Sequence, residues 1–413
     1  MIRRTKYESK ISDAFGVLPI VVLIGARQVG KTSIMKTYPT DGFRDTLFMN
    51  GQDSETAALF EKLSSIEQYL KVYLNPEVEG LLLIDEFQYI NGISTMMKLL
   101  TDKYENLKIL CSGSSSLDIL QKVEESLAGR VRVIEVLSLS FAEYLLFKDE
   151  KLYKLQQEAD TVAGEAVVAP LMDVYREYLV YGGLPRAALV GDVRQKTEIL
   201  NDIYRTYLLN DVRHYVANEH FVGFNRLIRL LATQTSNMFN INELSRESGL
   251  GYASCETYIA LLEKMYIIKT VEPYFTNKRK VITKMKKVYF NDLGLRNIIY
   301  GSFNEVEFRT DNGALFENEV FLELCRNATS ATSINFYRTQ NGTEVDFVVD
   351  DYGQRLALEC KFKRFDKPNN VMTLNNFCDE EGISSRYLAN MNLSANHNGI
   401  QFIQGVFCDR VKV

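Results

Sequence analysis

The chain has 413 residues, 46% of them hydrophobic, which predicts about two to four domains with ample apolar surface to bury. A formal charge of −5 excludes a general attraction to nucleic acid, so any such binding needs a local basic patch. Six cysteines without CxxC pairing and only three histidines disfavour structural zinc and a disulfide framework, and no apolar run approaches the ~18 residues of a membrane span, so the expected setting is the cytoplasm with no membrane partner.

The first informative element is the apolar run of residues 18–24, read as a strand, followed by Gly-Ala-Arg-Gln-Val-Gly-Lys-Thr from Gly25 to Thr32. This is the G-x-x-x-x-G-K-[ST] spacing of a loop that wraps nucleotide phosphates. Glycines at Gly25 and Gly30 let backbone N–H groups approach the ligand, and Lys31 reaches the β and γ phosphates. Thr32 supplies a hydroxyl to Mg²⁺, and a helix starting nearby turns its positive end toward the phosphates. The expected ATP-binding set is Gly25, Ala26, Arg27, Gln28, Val29, Gly30, Lys31, Thr32 and Ser33, against the plainer reading of a glycine turn between strand and helix.

Residues 81–86, Leu-Leu-Leu-Ile-Asp-Glu, read as a buried parallel strand whose end opens into a ligand crevice. Asp85 would hold Mg²⁺ and Glu86 would orient or deprotonate the attacking water, which implies hydrolysis. An acidic helix N-cap is the alternative. A third strand, 107–111, runs into Ser112-Gly-Ser-Ser-Ser116, where Ser114, or else Ser112, can touch the γ phosphate; a serine-rich helix-capping turn is the alternative. Arg130, after Gly129, reads either as an arginine finger, in cis or from a neighbouring copy, or as a surface salt-bridge arginine.

Strands alternate with helices up to about Leu139, as a parallel sheet covered on both faces requires. Beyond Phe141 the pattern is helical, broken at Tyr181-Gly-Gly-Leu-Pro185, which reads as a hinge, a contact near nucleotide, or an interhelix turn. Residues 242–248, Gly249 as turn and a second helix from about Ser254 to Lys264 suggest a helix-turn-helix, with the β-rich 266–271 as the first strand of a wing. The second helix carries Glu256 and Glu263 with only Lys264, poorly suited to reading DNA. The basic character lies in Lys278 to Lys287, which reads as a sequence-blind DNA or RNA contact or as a solvated hairpin face.

Near the C-terminus, residues 344–349 and 355–361 flank Asp-Asp-Tyr-Gly and read as a hairpin. Alternation puts Glu359 and Lys361 on one face with Asp346 beside them, and Glu317, on a helix of residues 313–326, completes the cluster. Carboxylates around Mg²⁺, here Asp346 and Glu359, with a lysine near the attacking water match the D…E-x-K core of restriction-endonuclease-like folds. A salt-bridged, non-cleaving version of that fold is the alternative, and Glu319 and Glu344 compete as ligands.

Taken in order, GARQVGKT, LLLIDEFQ, SGSSS, ESLAGRV, residues 139–144, Tyr181 to Pro185, Lys287 to Gly294 and the Glu/Asp/Glu-x-Lys set make the chain resemble prokaryotic AAA+ ATPases that carry a C-terminal domain of unknown function. The resemblance implies an α/β fold: a P-loop AAA+ module of the additional-strand class (1–140), a helical lid or linker (141–215), a winged-helix region (216–300) and a restriction-endonuclease-like domain (301–413). It implies ATP and Mg²⁺ as ligands. The functional expectation is an ATPase acting on nucleic acid whose ATP state controls a nuclease, or an ATP-driven switch with an inactive nuclease-like domain. An arginine finger in trans would also require a homo-oligomer.

Overall fold

The computed structural model describes residues 2–113, 126–159, 165–206, 212–213, 215–274, 285–369 and 371–412. These divide into two compact units, one formed by Met1–Leu137 with Lys264–Tyr266, the other by Ser138–Glu263 with Ile267–Val413. The expected lid and nuclease-like ranges fall within the second unit, as does the winged-helix range apart from Lys264–Tyr266.

The first unit is built on a fully parallel sheet of β1 (Ile20–Ile24), β2 (Asp45–Asn50), β3 (Gly80–Asp85), β4 (Leu107–Ser112) and β5 (Val131–Glu135), in the order β2-β3-β4-β1-β5. Every residue of β1 and β3 is buried, as near-continuous apolar runs in a sheet covered on both faces require. Ile66, Leu70, Met97 and Leu100 from the helices Leu63–Tyr73 and Ile93–Lys103 cover one face. β4 lies between β1 and β3, the insertion that the additional-strand class implies. The edge strand β2 is half exposed, which is why its short Asp-Thr-Leu-Phe-Met-Asn sequence gives no strong apolar signal.

The second unit begins with helices Phe141–Lys148, Glu150–Glu158, Glu165–Tyr181, Pro185–Ala188 and Val193–Ile203. Ser140 opens the first through a capping box with Glu143, whose backbone N–H donates to the Ser140 hydroxyl at 3.1 Å. Tyr181-Gly-Gly-Leu-Pro185 is an interhelix turn rather than a free hinge. Gly182 has φ +69°, and a Cβ on Gly294 would meet the Tyr181 carbonyl oxygen at 2.1 Å. Asp292 fastens the two glycine segments by accepting from the backbone N–H groups of Gly183 and Leu295, each at 2.9 Å.

Helices Phe221–Thr233, Ile241–Ser248 and Tyr252–Lys264 follow, the second ending at Gly249 in the left-handed region. β6 (Met238–Phe239), between the first two of these helices, joins β8 (Lys286–Phe290) and β7 (Ile268–Val271) in a small antiparallel sheet of order β6-β8-β7. The helix Asn312–Asn327 then leads into a six-stranded mixed sheet, β13-β14-β12-β11-β10-β9. Its strands are β9 (Ser333–Arg338), β10 (Glu344–Asp351), β11 (Gln354–Cys360), β12 (Ser385–Asn390), β13 (Ala395–His397) and β14 (Ile400–Gln404), with the helix Met372–Glu381 between β11 and β12. The β10–β11 hairpin turns through Tyr352 and Gly353, both at positive φ, as a tight two-residue loop requires. Among the described residues, no helix is long and apolar enough to cross a membrane.

Candidate nucleotide site and a carboxylate cluster

In the parallel sheet, pairing aligns Leu23 with Ser112 and Ile84 with Cys111, so β1, β4 and β3 end together. The loop Gly25 to Gly30, Gly113 and the pair Asp85–Glu86 leave the sheet at this common C-terminal edge, where open α/β sheets bind ligands. Gly25 and Gly30 have φ +142° and +97°, and a Cβ on Gly25 would lie 2.3 Å from the Val136 carbonyl oxygen. Glycine is therefore demanded by the fold at the first position and by backbone conformation at both.

Lys31 is only 6% exposed, and its ammonium donates to the carbonyl oxygens of Gly25 at 2.8 Å and Ala26 at 2.7 Å. Burial pushes it down to about 8, against the pull of the Glu86 and Asp85 carboxylates. A buried ammonium beside a glycine-rich loop suits triphosphate oxygens as acceptors. Thr32 and Ser33, half-buried, open the helix Lys31–Thr37; Arg27 is exposed, while Ala26 and Gln28 are half-buried.

Asp85 is buried at the end of β3 and accepts from the Ser112 hydroxyl and, at 3.1 Å, from the Glu86 N–H. Glu86 takes φ +50°, which turns the chain sharply after the strand, and its carboxylate accepts from the Gln88 amide. Gln88 and Ser112 thus hold the two carboxylates. Ser112 was legible as a strand-end hydroxyl, whereas Gln88 had only its place in LLLIDEFQ to signal it. Arg4, buried near the N-terminus, supports the loop from beneath by donating to the carbonyls of Val29 at 2.9 Å and Leu137 at 3.0 Å, a role with no motif to mark it.

Of the expected members, one cannot be placed and one is not brought to this edge. Ser114 lies outside the described residues. Arg130 sits at the opposite end of the sheet, where its carbonyl accepts from Ile20 N–H at 3.2 Å, roughly 15 Å along β1 from the loop. Its guanidinium pairs with Asp102 at 2.8 Å on the surface. That placement corrects the expectation of a finger in cis.

The second constellation is in the second unit. Phe347 pairs with Leu358, which sets Asp346 opposite Glu359, and Asp346 accepts from the Cys360 N–H at 2.8 Å. Lys361 donates to Glu359 at 2.5 Å, while the other Glu359 oxygen is buried without a hydrogen-bond partner. Glu317, on the Asn312–Asn327 helix, accepts from the Tyr289 hydroxyl at 2.7 Å. Glu319 is turned elsewhere, paired with buried Arg326 at 3.2 Å. The residue that joins the cluster is Lys287, 2% exposed, whose ammonium lies 2.9 Å from Glu317, 2.7 Å from Glu344 and 3.8 Å from Asp346.

Sequence reasoning placed Lys287 in a solvent-facing basic run; the structure corrects this, since β8 directs it inward. Of that run, Lys286 pairs with Glu272 at 3.1 Å, and Lys278, Arg279, Lys280 and Lys284 lie outside the described residues. Burial and the Asp346 carboxylate push Glu317 up to about 8, and burial with Asp346 pushes Glu359 up to about 7. Burial opposes the charge of Lys287, but Glu317, Asp346 and Glu344 outweigh it and hold the ammonium well above its ordinary range. Among the described residues, no set of three or more His, Cys, Asp or Glu stands ready to hold a metal ion. Asp346 and Glu359, the pair expected to hold a metal, stand opposite each other across the β10–β11 hairpin.

Comparison with known proteins gives three family matches. Residues 18–145 match an AAA domain, residues 172–305 a domain of unknown function (DUF8612) and residues 312–403 a further domain of unknown function (DUF4143). The AAA match supports ATP binding by the first unit. The chain is similar to an uncharacterized protein of Methanocaldococcus jannaschii, 28% identical over 348 residues, spanning 83% of this chain and 74% of that protein. It is also similar to an uncharacterized protein of Haemophilus influenzae, 23% identical over 380 residues, spanning 88% and 87%. Among solved structures, the Walker-type ATPase of Pyrococcus abyssi matches with TM-score 0.48 and 16% identity over 72% of this chain and 95% of that one.

Proposed function

We propose that the chain is an Mg²⁺-dependent ATPase of AAA+ type that acts as a nucleotide-driven switch, with a nuclease-like C-terminal part that binds rather than cuts. The observation that carries the ATPase reading is the convergence of Lys31, Asp85 and Glu86 at one end of one parallel sheet. The backbone of Gly25 to Gly30 and the Lys31 ammonium bind the β and γ phosphates. Mg²⁺, when bound, would be held by Thr32 and Asp85 and would neutralise phosphate charge. Glu86, steadied by Gln88, orients the attacking water and takes its proton. Ser112 fixes the Asp85 carboxylate, and Ser114 is kept as the γ-phosphate sensor. Arg130, remote from this edge in its own chain, stabilises transferred charge only if supplied to a neighbouring copy, which makes a homo-oligomer part of the proposal.

On this reading the module 1–140 drives a helical lid (141–215), a winged-helix region (216–300) and the nuclease-like region (301–413). The order helix, β9, β10, β11, helix, β12 with Asp346 facing Glu359 supports the nuclease-like resemblance. The inward Lys287, seated among Glu317, Glu344 and Asp346, favours binding over cleavage. Nucleic acid remains the candidate partner class through residues 278–284, tested by salt-sensitive DNA or RNA binding that Lys278→Glu with Lys280→Glu and Lys284→Glu removes.

The ATPase is tested by turnover against Mg²⁺ concentration. Asp85→Asn is expected to raise the Mg²⁺ requirement about tenfold or more. Turnover undiminished by EDTA would contradict the reading. Cleavage of DNA or RNA that Asp346→Ala and Glu359→Ala both abolish would overturn the non-cutting assignment.

A further inference from the structure

We propose that Lys287 is a built-in cation of the C-terminal carboxylate cluster: its ammonium occupies, between Glu317, Glu344 and Asp346, the position a divalent metal would need. The inference deepens the non-cutting reading above and rests on it.

Three observations carry it. The first is geometry: Lys287 comes from β8 of the small sheet, yet its Nζ reaches Glu317 on one helix and Glu344 and Asp346 on β10, at 2.9, 2.7 and 3.8 Å. It also lies 5.5 Å from the Phe336 ring on β9, a favourable seat for a cation. The second is rigidity: β8 is bolted to the helix Asn312–Asn327 by Asn318, which accepts from Phe290 N–H and donates to Phe290 O, both at 2.8 Å. Lys287, on a strand so fixed, is only 2% exposed and turned into the cluster. The third is charge: Arg338 shares Glu344 at 2.7 Å and Lys361 binds Glu359 at 2.5 Å. The cluster thus sets three cations, Lys287, Arg338 and Lys361, against Glu317, Glu344, Asp346 and Glu359. Stripping away the Lys287 ammonium would leave buried carboxylates converging on one space.

The test uses the full chain without nucleotide and Mn²⁺ as probe, read by loss of the free Mn²⁺ electron paramagnetic resonance signal. Wild type is expected to show no binding that Asp346→Asn alters. Lys287→Ala is expected to take up one Mn²⁺ per chain, lost again when combined with Asp346→Asn, and Mn²⁺ is expected to raise its melting temperature by about 5 °C. Wild-type binding of one Mn²⁺ removed by Asp346→Asn would overturn the proposal, as would a folded Lys287→Ala that binds none. Should Lys287→Ala fail to fold, the wild-type and Asp346→Asn titrations decide alone. Because nucleotide is absent, loss of ATP turnover in parallel assays would bear on the ATPase reading and leave this one standing.

Discussion

Lys31→Met should make the nucleotide-free protein more stable while abolishing ATP binding. Lys31 is 6% exposed, and burial lowers it from 10.5 to about 8. At about 1.4 kcal/mol for each tenfold change in proton affinity, this corresponds to roughly 3 kcal/mol of destabilisation at neutral pH. Methionine keeps the length of the stem and removes the charge. It also forfeits the hydrogen bonds to the Gly25 and Ala26 carbonyls, which offsets about 1–2 kcal/mol. A net gain of about 1–2 kcal/mol at pH 7 is expected. Between about pH 8 and 10.5 the unfolded chain holds the Lys31 proton more tightly than the folded chain, so wild-type stability rises with pH through that window. The advantage of the variant should therefore shrink toward pH 10.5. Urea unfolding of nucleotide-free protein at pH 7 and pH 10 measures both gaps. A variant less stable than wild type at pH 7, or a gap that does not change with pH, would refute the reasoning.

Three further outcomes are expected. Asp292→Ala strips the partner from the Gly183 and Leu295 N–H groups and should cost about 2–4 kcal/mol by denaturant unfolding. Arg326→Met leaves Glu319 and Glu323 buried without their shared cation, 3.2 and 2.9 Å away, and should cost about 3–5 kcal/mol, seen as a fall in the urea midpoint. Arg130→Ala breaks only an exposed pair with Asp102 and should change stability by less than about 1 kcal/mol. It should lower ATP turnover only at concentrations where copies associate, so a loss in dilute single chains would contradict the placement of Arg130 at the far sheet end.

The nucleotide site was legible because its chemistry depends on contiguous residues: GARQVGKT and LLLIDEFQ each sit at one strand end, and parallel pairing brings those ends together. The Asp346–Glu359 pairing was legible for a similar reason, since a two-residue turn fixes hairpin register. Lys287 was not, because a lysine in a basic run carries no mark of which way its strand will turn it. Arg130 was left open between a finger and a surface salt-bridge residue for want of register, and its place beside Ile20 with its pairing to Asp102 matches the second. The close approach of Gly182 to Gly294 joins segments more than a hundred positions apart, and local pattern holds no trace of it.

The most direct test of the central claim measures ATP binding and ATP turnover separately in wild type, Lys31→Ala and Glu86→Gln. The account predicts that Lys31→Ala loses both, while Glu86→Gln binds ATP within about threefold of wild type and turns it over at least about a hundredfold more slowly. Wild-type turnover by Glu86→Gln, or measurable turnover by Lys31→Ala, would contradict it.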